Sequence, residues 1–392
     1  MGFWPTFAKK TVLKIAVNTR LLIKGKLEGI GWFTYENLKR ITNQHPEHQF
    51  IFIFDRKFDE EFIFSRNIHP IVAYPQARHP LLYYIWFEHV IPGVLKKTGA
   101  DLFLSPDGYL SLKSKVPSMN VFHDLNFEHY PKDLPWVERR FYRHFFPEYA
   151  HKAIRIATVS EYSKKDIVSL YGVDKNKIDV VFNGANETYR PVGDDVKKAT
   201  RERFSQGAPY FIFVGSLHPR KNLARLFPAF DKFKESDNQG VKLLIVGEKK
   251  WWTEAIEKAY NNLTYKDDVI FTGRLAVEDL HLVIASALAL TYVSYFEGFG
   301  IPILESFYCH TPVISSKVTS MPEVAGNAAI LVDPMSVSSI AEAMKRMAGD
   351  ESLRKSLIEK GSERARIFSW QKSSERLWNS IETALNQVKE KK

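Results

Sequence analysis

Short apolar runs alternate along the whole chain with longer stretches of helical periodicity. The runs are apolar on both faces, which is typical of strands in a parallel sheet that helices cover on both sides. Helical periodicity lies between them, for example at Trp32–Thr42, Leu223–Lys234 and Ile340–Ala348. The predicted strands are Leu13–Asn18, Gln49–Phe54, Leu102–Ser105, Ser118–Phe122, Ile156–Ser160, Ile178–Phe182, Tyr210–Val214, Lys242–Val246, Val269–Phe271, Ala287–Tyr292, Pro312–Ser315 and Ala328–Val332.

Two series of this kind predict an α/β protein with two doubly wound, Rossmann-like domains. The polar stretch Tyr189–Gly207 precedes the second series, so we expect an N-terminal domain over residues 1–200 and a C-terminal domain over residues 201–369. The last segment is an amphipathic helix, with one apolar face formed by Leu377, Ile381, Ala384, Leu385 and Val388. We expect this helix, residues 370–392, to pack back on the N-terminal domain.

The composition narrows the class of protein. With 392 residues, 45% of them hydrophobic, and a single cysteine, Cys309, the chain is neither disordered nor a disulfide scaffold. No apolar run is long enough to span a bilayer, and the residues after Phe7 are too polar for a signal-peptide core. A single thiol fits a reducing compartment, so we expect a cytoplasmic protein, with the inner face of the plasma membrane as an alternative position.

The net charge of +10 favours a partner that carries phosphate or an anionic membrane face. The basic residues are scattered, which argues against a nucleic-acid partner. The stretch Pro135–Arg155 combines aromatic and basic side chains, including Trp136 and Arg140. Such a helix either lies on an anionic leaflet as a peripheral membrane contact or packs its aromatic side on the N-terminal sheet.

The turns that follow the strands of the second series carry the strongest candidate chemistry, because ligands of doubly wound sheets bind beyond the strand carboxyl ends. Gly215 follows one strand, and Arg220 and Lys221 come just before the next helix. Two cations at a helix N-terminus oppose its macrodipole, so an anion such as a diphosphate would offset their cost. A solvated turn with two surface cations is the alternative.

A second turn is rich in glycine and lies between two carboxylates, Glu297 and Glu305. Its backbone amides can hold phosphate or sugar oxygens, and the carboxylates can accept hydrogen bonds from sugar or ribose hydroxyls. The turn and the start of its helix consist of Gly298, Phe299, Gly300 and Ile301. The alternative makes Glu297 a loop charge and Glu305 a residue on the helix surface.

In the first series, Gly29 and Gly31 open a helix, and His123 follows a buried strand. The two glycines and Asp55 imitate a dinucleotide-binding fingerprint, although the turn lies too far from its strand. His123 is either a site acid, base or sugar ligand, or a structural histidine. A phosphate-loop ATPase, a serine hydrolase elbow and a zinc–cysteine site are excluded by their missing motifs. Since no Asp-x-Asp pair exists, we expect no metal and no cofactor.

These motifs resemble those of family 4 glycosyltransferases of the group 1 type, which are retaining enzymes with the GT-B fold. The segment Glu297–Glu305 matches the family's Glu-x7-Glu motif, and Pro219–Asn222 matches a "PRKN" donor-phosphate turn. The resemblance covers nearly the whole chain and implies two Rossmann-like domains that face a cleft. Many members place arginine directly after the glycine of this turn, where this chain has Ser216, so Arg220 takes that role here.

The resemblance also implies roles for the candidate residues. Arg220 and Lys221 would neutralise the leaving diphosphate, and the loop Gly29–Gly31 would close over it. Glu305 would hold the ribose, and Glu297 would contact the transferred sugar together with the amides of Gly298, Phe299 and Gly300. His123 would lie near the anomeric carbon. In the family's same-face mechanism the departing phosphate oxygen takes the proton of the acceptor.

The resemblance implies a nucleotide-diphosphate sugar as donor and a glycan or lipid-linked acceptor in cell-surface polysaccharide synthesis. The "PRKN" turn is frequent in mannosyltransferase-like members, so GDP-mannose is the first candidate. Two alternatives stay open at this point. One is an NAD-dependent oxidoreductase that uses Gly29, Gly31 and Asp55, and the other is a non-catalytic sugar-nucleotide-binding protein.

Overall fold

The computed structural model describes residues 12–237 and 239–390. Residues 1–11 of the predicted N-terminal domain and the last two residues of the predicted helix 370–392 therefore lie outside the described residues. Two sheets, each with all its strands parallel, organise the rest, and helices cover both. The two doubly wound α/β domains predicted from the sequence are confirmed.

The first sheet has seven strands in the order β3-β2-β1-β4-β5-β6-β7. Its strands are β1 (Lys14–Asn18), β2 (Gln49–Phe54), β3 (Ile68–Val72), β4 (Leu102–Ser105), β5 (Ser118–Phe122), β6 (Arg155–Thr158) and β7 (Ile178–Val180). Strands β1, β2 and β4 are apolar and almost fully buried, so this sheet carries a core on both faces. Trp86 and Phe103 are among its fully buried side chains.

The second sheet has six strands in the order β10-β9-β8-β11-β12-β13. Its strands are β8 (Tyr210–Val214), β9 (Lys242–Val246), β10 (Val269–Gly273), β11 (Ala289–Tyr292), β12 (Val313–Ser316) and β13 (Ala329–Val332). The strand order reverses beside β1 in the first sheet and beside β8 in the second sheet. This is the point at which a doubly wound sheet opens a ligand crevice.

The helices occupy the connections between strands. They are α1 (Gly29–Gln44), α2 (Pro80–Ile85), α3 (Ile91–Thr98), α4 (Asn126–His129), α5 (Trp136–Lys152), α6 (Glu161–Tyr171), α7 (Asp194–Ser205), α8 (Leu223–Lys234), α9 (Glu254–Asn261), α10 (Val277–Ala285), α11 (Ile301–Tyr308), α12 (Met321–Ala325), α13 (Val337–Gly349), α14 (Glu351–Ala365) and α15 (Trp370–Glu390). None of these helices combines the length and the apolar character that crossing a bilayer requires.

The sequence did not predict strand β3, and its position explains why. Among the residues that the structure describes it pairs only with β2, at the edge of the first sheet, and His69 and Pro70 in its middle are exposed. An edge strand tolerates proline and needs no continuous apolar run. The pattern that marks the buried strands is therefore missing from β3.

The C-terminal helix α15 crosses from the second half of the chain to the first. It contacts α1 and strands β6 and β7, and its Ser380 donates a hydrogen bond to Asp179 (2.5 Å). Trp378 of α15 stacks on His45 with ring centroids 3.7 Å apart. Helix α7 packs on α10, and the domain division predicted at residues 200 and 201 falls inside α7. The position of that division stays a prediction.

Candidate active site

A turn that follows β8 places two cations at the crevice of the second sheet. Gly215 has a φ of 145°, a conformation that residues with a side chain rarely adopt. Pro219–Lys221 form a 3-10 turn, and the next residue, Asn222, adopts the left-handed conformation. The Asn222 amide donates to the carbonyls of Val293 (2.9 Å) and Pro334 (2.7 Å) and so fixes the turn against the loop after β11.

The structure brings Arg220, Lys221 and Glu297 into one cluster. Arg220 Nη1 lies 2.6 Å from Glu297 Oε2, and Lys221 Nζ lies 2.6 Å from Glu297 Oε1. Lys221 Nζ also donates to the hydroxyl of Tyr292 at 2.7 Å, and Arg220 Nη1 donates to the carbonyl of Phe296 at 3.2 Å. Lys221 and Glu297 are only 7% and 5% exposed, so this is a buried charge network.

Burial and mutual attraction decide the charges in this cluster. Burial alone would raise the pKa of Glu297, but the charges of Arg220 and Lys221 outweigh it and lower that pKa to about 2. Burial lowers the pKa of Lys221 to about 8, against the opposing attraction of Glu297. Burial and the charge of Arg220 lower the pKa of His218 to about 4. At neutral pH the cluster therefore holds two cations, one carboxylate and a neutral histidine.

Helix α11 begins in the same crevice. Its N-cap residue, Gly300, has a φ of 99°, and no side chain caps this helix end. Pro302 has no N–H, and the Ile303 amide donates to the carbonyl of Gly300 (3.0 Å), so the amide of Ile301 and those of the glycine turn before it are left for an anion or for sugar oxygens. Ile301 at the start of α11 lies at the interface with the first half of the chain. In contrast, the side chain of Phe299 is buried against Phe182 and Phe368.

Glu305 lies one turn further along α11, apart from the charge cluster. It is half-buried and hydrogen-bonded to the hydroxyl of Tyr189. Burial raises the pKa of Glu305 to about 7. The carboxylate thus stands close to its midpoint of ionisation at physiological pH, and a donor of hydrogen bonds would favour its charged form.

The glycines of the first half lie at the start of α1, opposite α11. A Cβ built on Gly29 would come within 3.7 Å of Ile301, so the N-termini of α1 and α11 meet across the cleft. Gly31 is buried against Leu21 and Leu27 of its own loop and serves local packing. The predicted loop Gly29–Gly31 therefore presents Gly29, rather than Gly31, to the second half of the chain.

Asp55 does not take part in a dinucleotide site. Its carboxylate is fully buried and pairs with Arg56 through two contacts of 2.6 and 2.8 Å. It also accepts a hydrogen bond from the amide of Ala77. These partners hold Asp55 inside the first half of the chain, so the structure gives the oxidoreductase interpretation no support at this residue.

His123 follows β5 at the carboxyl edge of the first sheet, as predicted. Its Nε2 lies 2.8 Å from the carbonyl of Pro106, which can only accept, so Nε2 carries the proton and Nδ1 is left as an acceptor. Burial lowers the pKa of His123, and the ring is neutral at pH 7. Its backbone carbonyl lies so close to Gly298 that a Cβ on that glycine would collide with it.

Further contacts join the two halves of the chain at the cleft. The Glu323 carboxylate of α12 accepts hydrogen bonds from the amides of Glu161 (2.8 Å) and Tyr162 (3.1 Å) and so caps the N-terminus of α6. The Tyr295 hydroxyl donates to Asp133 at 2.7 Å. These side chains, all outside the predicted site, hold the charge cluster and His123 on facing sides of one cleft.

Sequence reasoning also missed Tyr292. It is the last residue of β11, and burial, followed by the charges of Glu297 and Glu305, raises its pKa. A signal for it was present. A tyrosine that ends a buried strand places its hydroxyl at the carboxyl edge of the sheet, where ligands bind.

The basic-aromatic stretch forms α5. The sequence left two interpretations of it open, packing on the N-terminal sheet and contact with an anionic membrane. Phe141 and Phe146 are buried and pack on Tyr109 of the same domain, as the interpretation of α5 as a packing helix expects. Trp136 is nevertheless 60% exposed, with the Arg140 guanidinium 5.6 Å from its ring centroid. In the part of the chain that the structure describes, no group of three His, Cys, Asp or Glu side chains could hold a metal ion.

Comparison with protein families identifies the two halves. The family described as "Glycosyltransferase Family 4" matches residues 28–189, and the one described as "Glycosyl transferases group 1" matches residues 196–364. The chain belongs to the group 1 glycosyltransferases. The second match contains the whole charge cluster and both carboxylates of the Glu297–Glu305 segment, and the first contains His123 and the glycine loop.

Individual relatives agree with this assignment. O-antigen chain mannosyltransferase B from Escherichia coli is 26% identical over 89% of this glycosyltransferase and 94% of its own length. O-antigen chain mannosyltransferase RfbU from Salmonella typhimurium is 28% identical over 68% of this chain and 71% of its own. HepE from Anabaena, solved with UDP and glucose, superposes with a TM-score of 0.74 at 15% identity and covers 94% of this chain and 99% of its own. The fold is GT-B.

Proposed function

We propose that this glycosyltransferase moves a hexose from a nucleotide-diphosphate sugar to a glycan or lipid-linked acceptor of a cell-surface polysaccharide. We take mannose as the hexose and GDP-mannose as the donor. The buried cluster of Arg220, Lys221 and Glu297 at the crevice of the second sheet is the observation that carries this proposal. The mannosyltransferase names of two relatives, both concerned with O-antigen chains, support the sugar and the acceptor class.

In this proposal the diphosphate binds at the turn after β8, between Arg220 and Lys221. Fixed positive groups in a buried site stabilise the charge that develops on the leaving diphosphate, and no metal ion is required for that step. The amides of the glycine turn and of Ile301 add hydrogen bonds to phosphate or sugar oxygens. Glu305 accepts the ribose hydroxyls, and Glu297 accepts hydroxyls of the transferred sugar.

We further propose transfer with retention at the anomeric carbon. The bond from that carbon to the diphosphate oxygen breaks, a bond to the acceptor oxygen forms on the same face, and the departing phosphate oxygen takes the acceptor's proton. His123 lies on the facing side of the cleft, and its unprotonated Nδ1 can accept a hydrogen bond from a sugar hydroxyl. The neutral ring places no positive charge beside a developing oxocarbenium ion.

Helix α5 provides a surface through which the N-terminal half could contact a membrane that carries the acceptor. Exposed Trp136 beside Arg140 is the combination that favours the interface of an anionic leaflet. A position on the inner face of the plasma membrane is part of the proposal. Salt-sensitive co-sedimentation with anionic vesicles supports it, and equal binding to neutral and anionic vesicles contradicts it.

A donor screen tests the proposed function directly. Purified protein is incubated with GDP-mannose and, in parallel, with UDP-glucose, UDP-galactose and NADH, and binding is followed by thermal shift. The donor that binds is then used for transfer, with and without EDTA, and NMR of the product gives the anomeric configuration. Retained configuration and EDTA-insensitive transfer support the proposal. Inversion, loss of transfer in EDTA, or donor binding without any transfer contradicts it.

A further inference from the structure

Partners inside the protein take two of the five N–H donors of Arg220, both on Nη1, and two of the three N–H donors of Lys221. Glu297 places one carboxylate oxygen on each of them, at 2.6 Å in both cases. Lys221 gives a second hydrogen bond to Tyr292, and the Arg220 nitrogen that meets Glu297 also meets the carbonyl of Phe296. An anion that bridges the two cations through the N–H groups now bound to Glu297 must therefore take the place of its carboxylate.

Displacing Glu297 is costly because the residue is buried. Its side chain is 7% exposed, and a buried carboxylate without partners loses the hydrogen bonds that offset its desolvation. The backbone around it is fixed, since its carbonyl accepts from Ser320 (2.8 Å) and its amide donates to Thr319 (3.3 Å). The side chain can turn, but it needs new hydrogen-bond donors inside the crevice.

A sugar supplies such donors, and a bare diphosphate does not. Sugar hydroxyls donate to a carboxylate without bringing charge, whereas the ionised oxygens of a nucleoside diphosphate above pH 7 act as acceptors and add negative charge. From this exchange we infer that the Glu297 carboxylate competes with the diphosphate for Arg220 and Lys221. Hydroxyls of the transferred sugar then draw that carboxylate away from the two cations. The inference rests on the proposed function, because it takes Arg220 and Lys221 as the diphosphate partners.

The consequence is that the site binds the nucleotide-sugar donor in preference to the nucleoside diphosphate product. A nucleotide sugar satisfies the cations with its diphosphate and Glu297 with its sugar, so binding leaves no buried charge unpaired. The nucleoside diphosphate that remains after transfer has to compete with Glu297 without that compensation. Glu297 would therefore weaken the binding of the product relative to the donor and favour its release.

Inorganic pyrophosphate is the probe that separates this competition from base and sugar recognition. Its dissociation constant is measured by isothermal titration for the wild type, Glu297→Gln and Glu297→Asp, with Glu359→Gln as an exposed control of equal charge change. We expect Glu297→Gln to bind pyrophosphate about tenfold more tightly than the wild type, with a smaller gain in Glu297→Asp. The ratio of GDP to GDP-mannose dissociation constants should fall in Glu297→Gln by a similar factor.

The remaining outcomes decide against the inference in distinguishable ways. Circular dichroism shows whether Glu297→Gln folds, and Glu297→Asp, which keeps the charge on a shorter side chain, decides the question if it does not. Unchanged pyrophosphate affinity in both variants, together with weaker binding in Arg220→Ala, leaves the diphosphate site intact and overturns the competition. Pyrophosphate affinity that neither Arg220→Ala nor Glu297→Gln changes overturns the diphosphate site and the inference together.

Discussion

The two sides of the cleft are built from similar sheets but differ in the groups that they present. The side formed by the second sheet concentrates charge, with Arg220, Lys221 and Glu297 joined by contacts of 2.6 Å. The side formed by the first sheet presents the backbone of Gly29 and the neutral ring of His123. The same strand topology therefore carries the buried cluster of Arg220, Lys221 and Glu297 on one side and a closely approaching glycine and neutral histidine on the other.

This difference assigns separate tasks to the two halves. Fixed charges in a buried crevice can stabilise a leaving group without reorganising during the reaction. A glycine backbone and a neutral ring that approach closely can instead exclude water and position the sugar. The comparison predicts that substitutions in the charge cluster act on the chemical step, whereas substitutions at the contacts between the two sides act through closure.

The largest effect is expected from Lys221→Ala. Losing this charge from the diphosphate site should lower kcat by about 10²–10³, or about 2.7–4 kcal/mol of transition-state stabilisation. Transfer assays on purified protein measure it, with circular dichroism to show that the fold survives. Lys232→Ala on α8 removes an exposed lysine and should leave transfer unchanged. Near-normal transfer by Lys221→Ala would remove the assignment of the diphosphate to this cation.

Gly298→Ala tests the role of close approach. The added methyl group would collide with the carbonyl of His123, so the two halves could no longer meet as they do in the structure. We expect transfer to fall by about 10²-fold, because a displacement of about 1 Å is enough to spoil alignment. Small-angle scattering should show a larger radius of gyration.

The control for this substitution is Gly349→Ala, because a Cβ at Gly349 would meet no atom within 4 Å. It should leave both transfer and scattering unchanged. Full activity of Gly298→Ala, with unaltered scattering, would show that the approach of Gly298 to His123 is not needed for transfer.

The pH dependence of donor binding tests Glu305. Burial raises its pKa to about 7, so the carboxylate gains a proton as the pH falls below 7 and can no longer accept two ribose hydroxyls. We expect the donor dissociation constant to rise about fivefold between pH 7 and pH 6, a range in which Lys221, with a pKa of about 8, stays charged. The diphosphate of a nucleotide sugar does not change its charge in this range. Glu305→Gln should bind donor weakly with a flat profile, and an equally steep profile in this variant would exclude Glu305 as the titrating group.

The smallest effect is expected from Tyr295→Phe. This change removes the hydrogen bond to Asp133 between the two sides of the cleft and leaves the charge cluster untouched. One such hydrogen bond contributes about 1 kcal/mol, so KM for the donor should rise about fivefold with little change in kcat. A double-mutant cycle with Asp133→Asn isolates the pair. Additive effects of the two substitutions would show that this contact does not couple the two halves.

The architecture could be predicted from the sequence because each buried parallel strand is a short run of consecutive apolar residues. Strands β8 and β9 were predicted with their observed bounds, whereas the edge strand β3, with exposed His69 and Pro70, was missed. The edge strands β7, β10 and β13 keep an apolar run and were predicted, so β3 was missed because two exposed residues interrupt its run.

The candidate site was predictable where one local motif carries several functional groups. Arg220 and Lys221 are adjacent in the chain, and the carboxylate that pairs with them, Glu297, belongs to a motif of its own. The pairing between the two motifs could not be predicted, because it depends on the register between β8 and β11. The contact of Tyr295 with Asp133 was equally hidden, since 162 residues separate the two along the chain.

A crystal structure of this glycosyltransferase with a nucleotide-diphosphate sugar tests the central claim most directly. The account predicts diphosphate oxygens at about 3 Å from Lys221 Nζ and from the Arg220 guanidinium, with Glu297 turned toward a sugar hydroxyl. A donor bound away from the turn after β8, or a diphosphate held by other groups while Glu297 keeps both cations, would contradict it.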